Sequence, residues 1–271
     1  MYIWLRRATG ENMEIVVYVL AGLIGVCVGS FLNVVIYRVP NGMNLATPPS
    51  HCPKCDYKLH WYDNIPVLSY IILGGKCRNC QQPISFRYTA VELLNMALWL
   101  LCAWQFMGNW FYMVTSCLFC SVLICVAFID LEHQYIYDAF IWMLLGLGIL
   151  AIFADRNGEV WWYRLIGGAV GFAFFFLFYG IAYLIYKRPA MGFGDVLLAA
   201  VCGLYLGWKN FIVTAIVASL VGSIVLLIVR FCRKDDSKTE YPFAPFIMLG
   251  AVVALLFGNY IIQAYMSLFT A

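Results

Sequence analysis

Four cysteines stand in two Cys-x-x-Cys pairs, Cys52/Cys55 and Cys77/Cys80, separated by 21 residues. Such pairs supply the four thiolates of a closed tetrahedral zinc site, for which a spacing of about 15–20 residues is usual. Residues 38–88, which contain them, are polar and too few to form a core of their own. We predict a structural zinc ion that staples this loop. Disulfides or unbound thiols are the alternatives, and a reducing cytoplasm disfavours disulfides.

Two histidines of this loop and a third Cys-x-x-Cys pair elsewhere in the chain have simpler interpretations. His51 and His60 lie beside the cysteine pairs and are either substitute ligands or ordinary loop residues. Cys117 and Cys120 have the same Cys-x-x-Cys spacing but lie in an apolar stretch. There we interpret them as small apolar side chains, because unpaired cysteine behaves as a small hydrophobe.

Two aspartates stand at the ends of apolar stretches, 65 residues apart. Asp130 follows the apolar stretch 110–129, and Asp195 precedes the shorter stretch 196–208. Two carboxylates that meet share a proton, so one can activate a water while the other protonates the leaving amine. This pair therefore predicts aspartic peptide hydrolysis. Structural alternatives are a helix N-cap for Asp195 and a membrane-boundary position for Asp130.

Glycines and other acidic residues surround these two positions. Gly192 and Gly194 precede Asp195 and allow the backbone a close approach before the helix. Other acidic residues compete with Asp130 for the catalytic role, and we rank all of them below it. These are Glu92, Glu132 and Asp138.

The composition excludes a soluble domain. Hydrophobic residues make up 64% of the 271 residues and charged residues only 11%, with a mean hydropathy of +0.84. An average globular chain has about 25% charged residues. The net charge of +3 is too small to indicate nucleic-acid binding. We predict an all-α polytopic membrane protein, with membrane lipids as its surroundings and no nucleic-acid partner.

Hydropathy predicts about eight transmembrane helices. One of them, 196–208, is short and is either a span extended at both ends or a re-entrant helix. The predicted spans are 15–37, 89–106, 110–129, 136–153, 165–186, 196–208, 211–229 and 243–265. Three further assignments follow from these spans. We predict an N-terminal extension at 1–14, with either Met1 or Met13 as the start. The cytoplasmic zinc loop occupies 38–88, and the protease helices lie within 89–271.

The distribution of Lys and Arg predicts the orientation. If the N-terminus faces outward, twelve of the 17 Lys and Arg residues lie on the cytoplasmic side. These are Arg38, Lys54, Lys58, Lys76, Arg78, Arg87, Lys187, Arg188, Arg230, Arg233, Lys234 and Lys238. Both termini then face outward. The ends of the spans that carry Asp130 and Asp195 face the cytoplasm, as does the four-cysteine loop.

Seven short motifs follow one another along the chain. They are Gly29-Ser30-Phe31-Leu32-Asn33-Val34-Val35-Ile36-Tyr37-Arg38, Cys52/Cys55, Asp63-Asn64-Ile65-Pro66-Val67-Leu68-Ser69-Tyr70, Cys77/Cys80, Arg87-Tyr88 with Val91-Glu92, Asp130-Leu131-Glu132-His133 and Met191-Gly192-Phe193-Gly194-Asp195. In this order they resemble the type IV prepilin peptidases, which are membrane aspartic proteases of the G-x-G-D type. The resemblance covers the chain from about residue 20 to 250.

The resemblance implies Asp130 and Asp195 as the catalytic pair in a bifunctional enzyme of the bacterial inner membrane. Members with the cysteine loop remove the basic leader of type IV prepilins and pseudopilins on the cytoplasmic side. They then methylate the new N-terminal residue with S-adenosylmethionine. The sequence shows no glycine-rich nucleotide motif, so the methyltransferase activity and its methyl donor rest on the resemblance alone.

Two positions depart from the family pattern. Tyr137 stands where proline is usual, and Ala244 stands where glycine is usual.

Three other functions remain as alternatives. They are a presenilin-like intramembrane aspartic protease, a metal transporter and a non-enzymatic assembly factor of a pilus or secretion system. A transporter requires acids or histidines in mid-span, whereas an assembly factor predicts no loss of function on Asp130→Asn.

Overall fold

A computed structural model describes residues 11–153, 161–187, 192–233 and 242–270. Its longer helices are α1 (Glu11–Arg38), α3 (Phe86–Phe106), α4 (Trp110–His133), α5 (Asp138–Phe153), α6 (Trp162–Tyr186), α7 (Phe193–Leu206), α8 (Trp208–Arg233) and α9 (Ala244–Thr270); a short α2 (Leu68–Ile72) lies in the loop after α1. Several residues considered above lie outside the described ranges. These are Met1, Arg188, Met191, Lys234 and Lys238.

The helices agree with the predicted all-α membrane class. Six of them, α1, α3, α4, α6, α8 and α9, are long and apolar enough to cross a membrane. The other two predicted spans correspond to the shorter apolar helices α5 and α7. Within the described residues they have 16 and 14 residues, fewer than the ~20 that a full crossing needs. The first helix also begins earlier than the predicted span, by residue 11 rather than residue 15.

Residues up to Cys125 form one compact unit and residues from Val126 form a second, so the division falls inside α4. In the first unit, α1 packs closely against α3. Their axes approach where α1 carries glycine: a Cβ at Gly29 would lie 2.8 Å from the Cα of Glu92. Small residues that let helix backbones approach are typical of packing in membranes.

A buried polar network also holds the first unit together. The amide nitrogen of Asn95 donates to the carbonyl of Gly25 at 2.6 Å. The hydroxyl of Ser121 donates to the amide oxygen of Asn95, and the indole of Trp99 donates to the same hydroxyl. These bonds link α1, α3 and α4 in an apolar interior where unpaired polar groups are costly.

In the second unit, α7 packs against α5, α6, α8 and α9 and is almost entirely buried. Gly167 on α6 faces Gly203 on α7 so closely that a Cβ on either residue would meet the backbone of the other. At the end of α7, the buried Arg164 donates to the carbonyl of Tyr205. A cation at a helix C-terminus satisfies orphan carbonyls and complements the helix dipole. The helix that begins with the Asp195 motif is therefore held along its whole length.

Candidate active site and metal site

Asp130 lies in the last turn of α4, and its side chain is buried. Glu132 and His133, which follow it in the same turn, are exposed. Its Oδ2 atom accepts a hydrogen bond from the backbone N–H of Ala244 at 3.1 Å. Ala244 is the first residue of α9. The first N–H groups of a helix have no partner within the helix and carry a partial positive charge. A carboxylate is therefore a favourable partner for this helix end.

Asp195 lies in the first turn of α7, and it is also buried. Its backbone N–H donates to the carbonyl of Gly192, while its Oδ1 atom is buried and has no hydrogen-bond partner among the described residues. The carboxylate lies within Coulombic range of that of Asp130. The two predicted catalytic carboxylates thus belong to one compact unit and interact electrostatically.

Gly192 and Gly194 shape the approach to Asp195. A Cβ at Gly192 would lie 3.5 Å from Oδ2 of Asp195, and one at Gly194 would lie 3.1 Å from the Cβ of Ile136. Neither glycine has a positive φ, so the closeness of neighbouring atoms is the reason for a small residue here. Met191, the first residue of the motif, lies outside the described ranges.

The competing acids near Asp130 are exposed. Glu132 and Asp138 both point to the surface, and Asp138 begins α5. Tyr137, at the position where the family usually has proline, packs edge-on against Tyr135. Because Asp130 is buried and both of these acids are exposed, Asp130 is the one placed to meet a second buried carboxylate.

Ala244 belongs to the site, although in the sequence it stands out only as a departure from a usual glycine. What the position supplies is its backbone N–H, which alanine and glycine share. Pro245, the next residue, is a sequence signal for the start of a helix. Because the first N–H groups of a helix have no partner within it, this signal could have indicated a free backbone donor at Ala244.

The four cysteines of the loop have their sulfur atoms gathered within 4.8 Å of one another. The Sγ atoms of Cys52 and Cys80 are 3.9 Å apart, and those of Cys55 and Cys77 are 4.0 Å apart. A zinc ion bound at about 2.3 Å by four thiolates gives a sulfur–sulfur edge of about 3.8 Å. The donor set therefore fits a structural zinc ion, as the spacing predicts.

The two cysteine pairs have the same backbone hydrogen bonds. Cys52 N–H donates to the carbonyl five residues on, and its own carbonyl accepts from the residue four residues on; Cys77 repeats both bonds. Asp56 and Gln81, at equivalent positions, both have a positive φ. Backbone N–H groups of Cys80 and Asn79 lower the pKa of Cys77 to about 7. Such a thiol is readily converted to the thiolate that binds metal.

The histidines are not part of this sulfur cluster. The imidazole of His60 stacks on Tyr62, with 5.2 Å between ring centroids, and His51 contacts the carbonyl of Pro49. Of the two interpretations open from the sequence, the structure favours ordinary loop residues. Cys117 and Cys120 are buried within α4, in agreement with their interpretation as apolar side chains.

An ion pair joins the middle of the loop to its second cysteine pair. The Nε atom of Arg78 lies 2.9 Å from Oδ1 of Asp63, whose side chain is only 1% exposed. The other carboxylate oxygen of Asp63 accepts from the N–H of His60. The hydrogen bond from Arg78 neutralises a buried charge and raises the pKa of the guanidinium. Arg78 thus serves Asp63 in addition to lying near the thiolates.

Two family profiles match the chain. Residues 23–106 match the bacterial peptidase A24 N-terminal domain, and residues 117–227 match the type IV leader peptidase family. A prepilin leader peptidase/N-methyltransferase of Pseudomonas aeruginosa is 32% identical over 90% of this chain and 91% of its own length. This chain belongs to the prepilin leader peptidase/N-methyltransferase family.

Other members of the family extend the same result. A prepilin leader peptidase/N-methyltransferase of Myxococcus xanthus is 38% identical over 80% of this chain and 65% of its own length. A type 4 prepilin-like proteins leader peptide-processing enzyme of Escherichia coli is 35% identical over 88% of this chain and 93% of its own length. The resemblance seen in the motifs is thereby confirmed. No solved structure matches the chain.

Proposed function

We propose that this protein removes the leader peptide of type IV prepilins or pseudopilins, with Asp130 and Asp195 as the catalytic pair. The observation that carries the proposal is the placement of two buried carboxylates within Coulombic range: Asp195 lies in the first turn of α7, and Asp130 accepts a hydrogen bond from the first residue of α9. Family membership supplies the reaction, because the relatives carry leader-peptidase names.

In the proposed reaction the two carboxyl groups share one proton. The ionised carboxylate takes a proton from a water molecule, whose oxygen forms a bond to the carbonyl carbon of the scissile peptide. The protonated partner hydrogen-bonds to the carbonyl oxygen. When the tetrahedral intermediate collapses, the C–N bond breaks and the leaving amine gains a proton from the pair. The role of this chain is to hold both carboxyl groups, of which Asp130 is oriented by Ala244.

The second proposed activity is methylation of the new N-terminal amine. S-adenosylmethionine, when bound, supplies a methyl group on a sulfonium. The methyl group would pass from sulfur to the amine nitrogen, with the electron pair of the broken carbon–sulfur bond left on sulfur and one amine proton released to water. The residues of this chain must bind the donor, orient the amine and exclude water. The names of the relatives support this activity.

We further propose a zinc ion held by Cys52, Cys55, Cys77 and Cys80 with a structural role. Four protein ligands leave no open position for a substrate or water, so this ion shapes the loop and takes no part in the chemistry. The sulfur–sulfur distances and the shared backbone geometry of the two pairs support it.

For the cellular setting, we propose the bacterial inner membrane with the catalytic aspartates on the cytoplasmic side. The distribution of Lys and Arg supports this orientation. Large side chains exposed on α6, such as Phe174, Phe176 and Phe178, suit contact with lipid tails. Basic loop residues suit anionic lipid headgroups, and they are poor partners for a leader that is itself basic.

One mass-spectrometry experiment tests both activities. Purified protein in detergent is incubated with a prepilin, with and without S-adenosylmethionine, beside the variant Asp195→Asn. We expect a leader-sized mass loss in the wild type that is absent from the variant. A further gain of one methyl mass is expected only when S-adenosylmethionine is present. Folded wild-type enzyme that leaves several prepilins intact would contradict the proposal and favour the assembly-factor alternative.

A further inference from the structure

The first compact unit contains a cavity of about 720 Å³ that neither the aspartate pair nor the zinc staple explains. Residues from the end of α1, the four-cysteine loop and the start of α3 line it. Its volume is within the range of about 300–1,000 Å³ typical of sites for small molecules and cofactors. The cavity contains buried polar groups that point to the chemistry of its ligand.

Glu92 is the buried acid of this cavity. Its side chain lies on α3, is 8% exposed as a residue, and accepts a hydrogen bond from the backbone N–H of Val67 at 2.8 Å. The hydroxyl of Ser30 also contacts it. In the described part of the chain, Glu92 has no ion-pair partner. A buried carboxylate without a cation is costly, so a positively charged ligand would compensate it.

The backbone at Val67 is held in an unusual conformation to supply this N–H. Val67 has a φ of 62° and a ψ of −50°, a region that β-branched residues rarely adopt. Such conformations persist only where surrounding structure imposes them, and they concentrate at functional sites. The strained residue directly faces the buried carboxylate of Glu92.

Asn33 provides an independent indication of a missing ligand. The residue is only 5% exposed, and its amide nitrogen donates to the carbonyl of Tyr88 at 2.9 Å. This bond fixes the orientation of the amide, yet the Oδ1 atom is buried and accepts no hydrogen bond from the residues that the structure describes. Asn33 lines the cavity. Since buried acceptors are nearly always paired, a donor from a ligand is the expected partner.

The remaining lining groups suit a ligand with an aromatic part and a negatively charged part. Tyr37, Tyr70 and Tyr88 offer aromatic faces, and aromatic rings attract cations as well as flat heterocycles. Arg38 and Lys54 also line the cavity and bring positive charge. Arg38 donates to three loop carbonyls and so holds the wall of the cavity.

We propose that this cavity binds S-adenosylmethionine, with Glu92 opposite its positive charge and Asn33 Oδ1 as an acceptor for one of its N–H or O–H groups. The ligand carries a sulfonium, an ammonium, a carboxylate and an adenine ring, which correspond to the carboxylate, the cations and the tyrosines of the lining. The inference rests on the proposed methyltransferase function and assigns the place of the methyl donor.

Binding is tested directly, without turnover, by calorimetric titration of S-adenosylmethionine into purified protein in detergent. We expect Glu92→Gln to weaken binding at least tenfold and Asn33→Ala to weaken it severalfold. Two matched controls, Glu14→Gln on α1 and Asn41→Ala in the exposed loop, should bind as the wild type does. Unchanged affinity in a folded Glu92→Gln protein would overturn the proposal.

A second measurement on the wild type keeps the test independent of variant folding. Ultraviolet cross-linking of radiolabelled S-adenosylmethionine, followed by peptide mapping, should label peptides from residues 27–92. Label confined to other peptides would overturn the site. Prepilin cleavage is measured in the same samples, separately from methylation. A wild-type protein that does not cleave prepilin would refute the peptidase function, not the donor site. Cleavage that continues in Glu92→Gln shows that the donor site is separate from hydrolysis.

Discussion

The carboxylate of Asp130 accepts a hydrogen bond from the backbone N–H of Ala244, which lies 114 residues further along the chain. The bond joins the end of α4 to the beginning of α9. Because the donor belongs to the backbone, any residue except proline can provide it. The departure from the usual glycine at this position therefore leaves the contact intact.

Removal of this N–H should impair catalysis more than folding. Ala244→Pro deletes the donor at a helix start, where proline is otherwise well tolerated. A hydrogen bond to a charged group contributes about 1.5–3 kcal/mol, so we expect a loss of about 10- to 100-fold in the cleavage rate. The control Ala244→Gly keeps the N–H and should stay close to wild type. Equal losses in both variants, measured by prepilin cleavage, would contradict the role of the bond.

Replacement of either catalytic aspartate should nearly abolish cleavage. Asp130→Asn and Asp195→Asn keep the side-chain shape and remove a proton-transfer group, whose contribution is about 10²- to 10⁴-fold. The exposed neighbours give matched controls: Glu132→Gln and Asp138→Asn should retain activity within about twofold of wild type. Rates are measured on purified protein of equal helical content. Substantial cleavage by either aspartate variant would disprove the pair.

Metal analysis should find one zinc ion per chain. Cys77→Ser removes one of the four ligands, so we expect loss of the ion and faster proteolysis within residues 38–88. Cys27→Ser, at an exposed thiol on α1 outside the sulfur cluster, should keep both the ion and the protease resistance. Plasma mass spectrometry and limited trypsin digestion measure the two effects. Metal-free wild-type protein with a resistant loop would rule out the staple.

Zinc retention should also depend on pH. The pKa of the Cys77 thiol lies at about 7, below its ordinary value, so the thiolate predominates above that pH. Protons compete with the metal as the pH falls through and below this range. We expect the apparent zinc affinity, measured by competition with a chelator, to decrease from pH 8 to pH 6. An affinity that does not change over this interval would argue against thiolate ligands.

The crossing of α1 and α3 should not tolerate a larger residue at Gly29. A Cβ there would lie 2.8 Å from the Cα of Glu92, and backbone atoms cannot move aside easily. We expect Gly29→Ala to lower the free energy of unfolding of this unit by about 1–3 kcal/mol. At Gly22 the nearest atom to an added Cβ is 3.6 Å away, in a side chain. Gly22→Ala should therefore be nearly neutral in the same denaturation measurement.

Several features followed from the sequence because they depend on local patterns. Long apolar stretches predict membrane helices, since each must span the bilayer and satisfy its own backbone hydrogen bonds. Cysteine spacing predicts the metal site, because two short turns can present four thiolates whatever the rest of the chain does. Asp130 and Asp195 could be proposed as a pair from their positions at the ends of spans and from the family motifs.

Other features depended on tertiary structure, because they join segments that are remote in the chain. The N–H of Ala244 reaches Asp130, and Glu92 reaches Val67, only after particular helices and loops have packed together. The unpaired oxygen of Asn33 is a property of its surroundings, which no local pattern encodes. Hydropathy likewise predicted spans at α5 and α7 and marked only the second as short, whereas within the described residues both helices are shorter than a full crossing needs. Composition and spacing thus determined the class of protein and its candidate groups. Packing decided which of these groups meet, because a contact depends on the geometry of both partners.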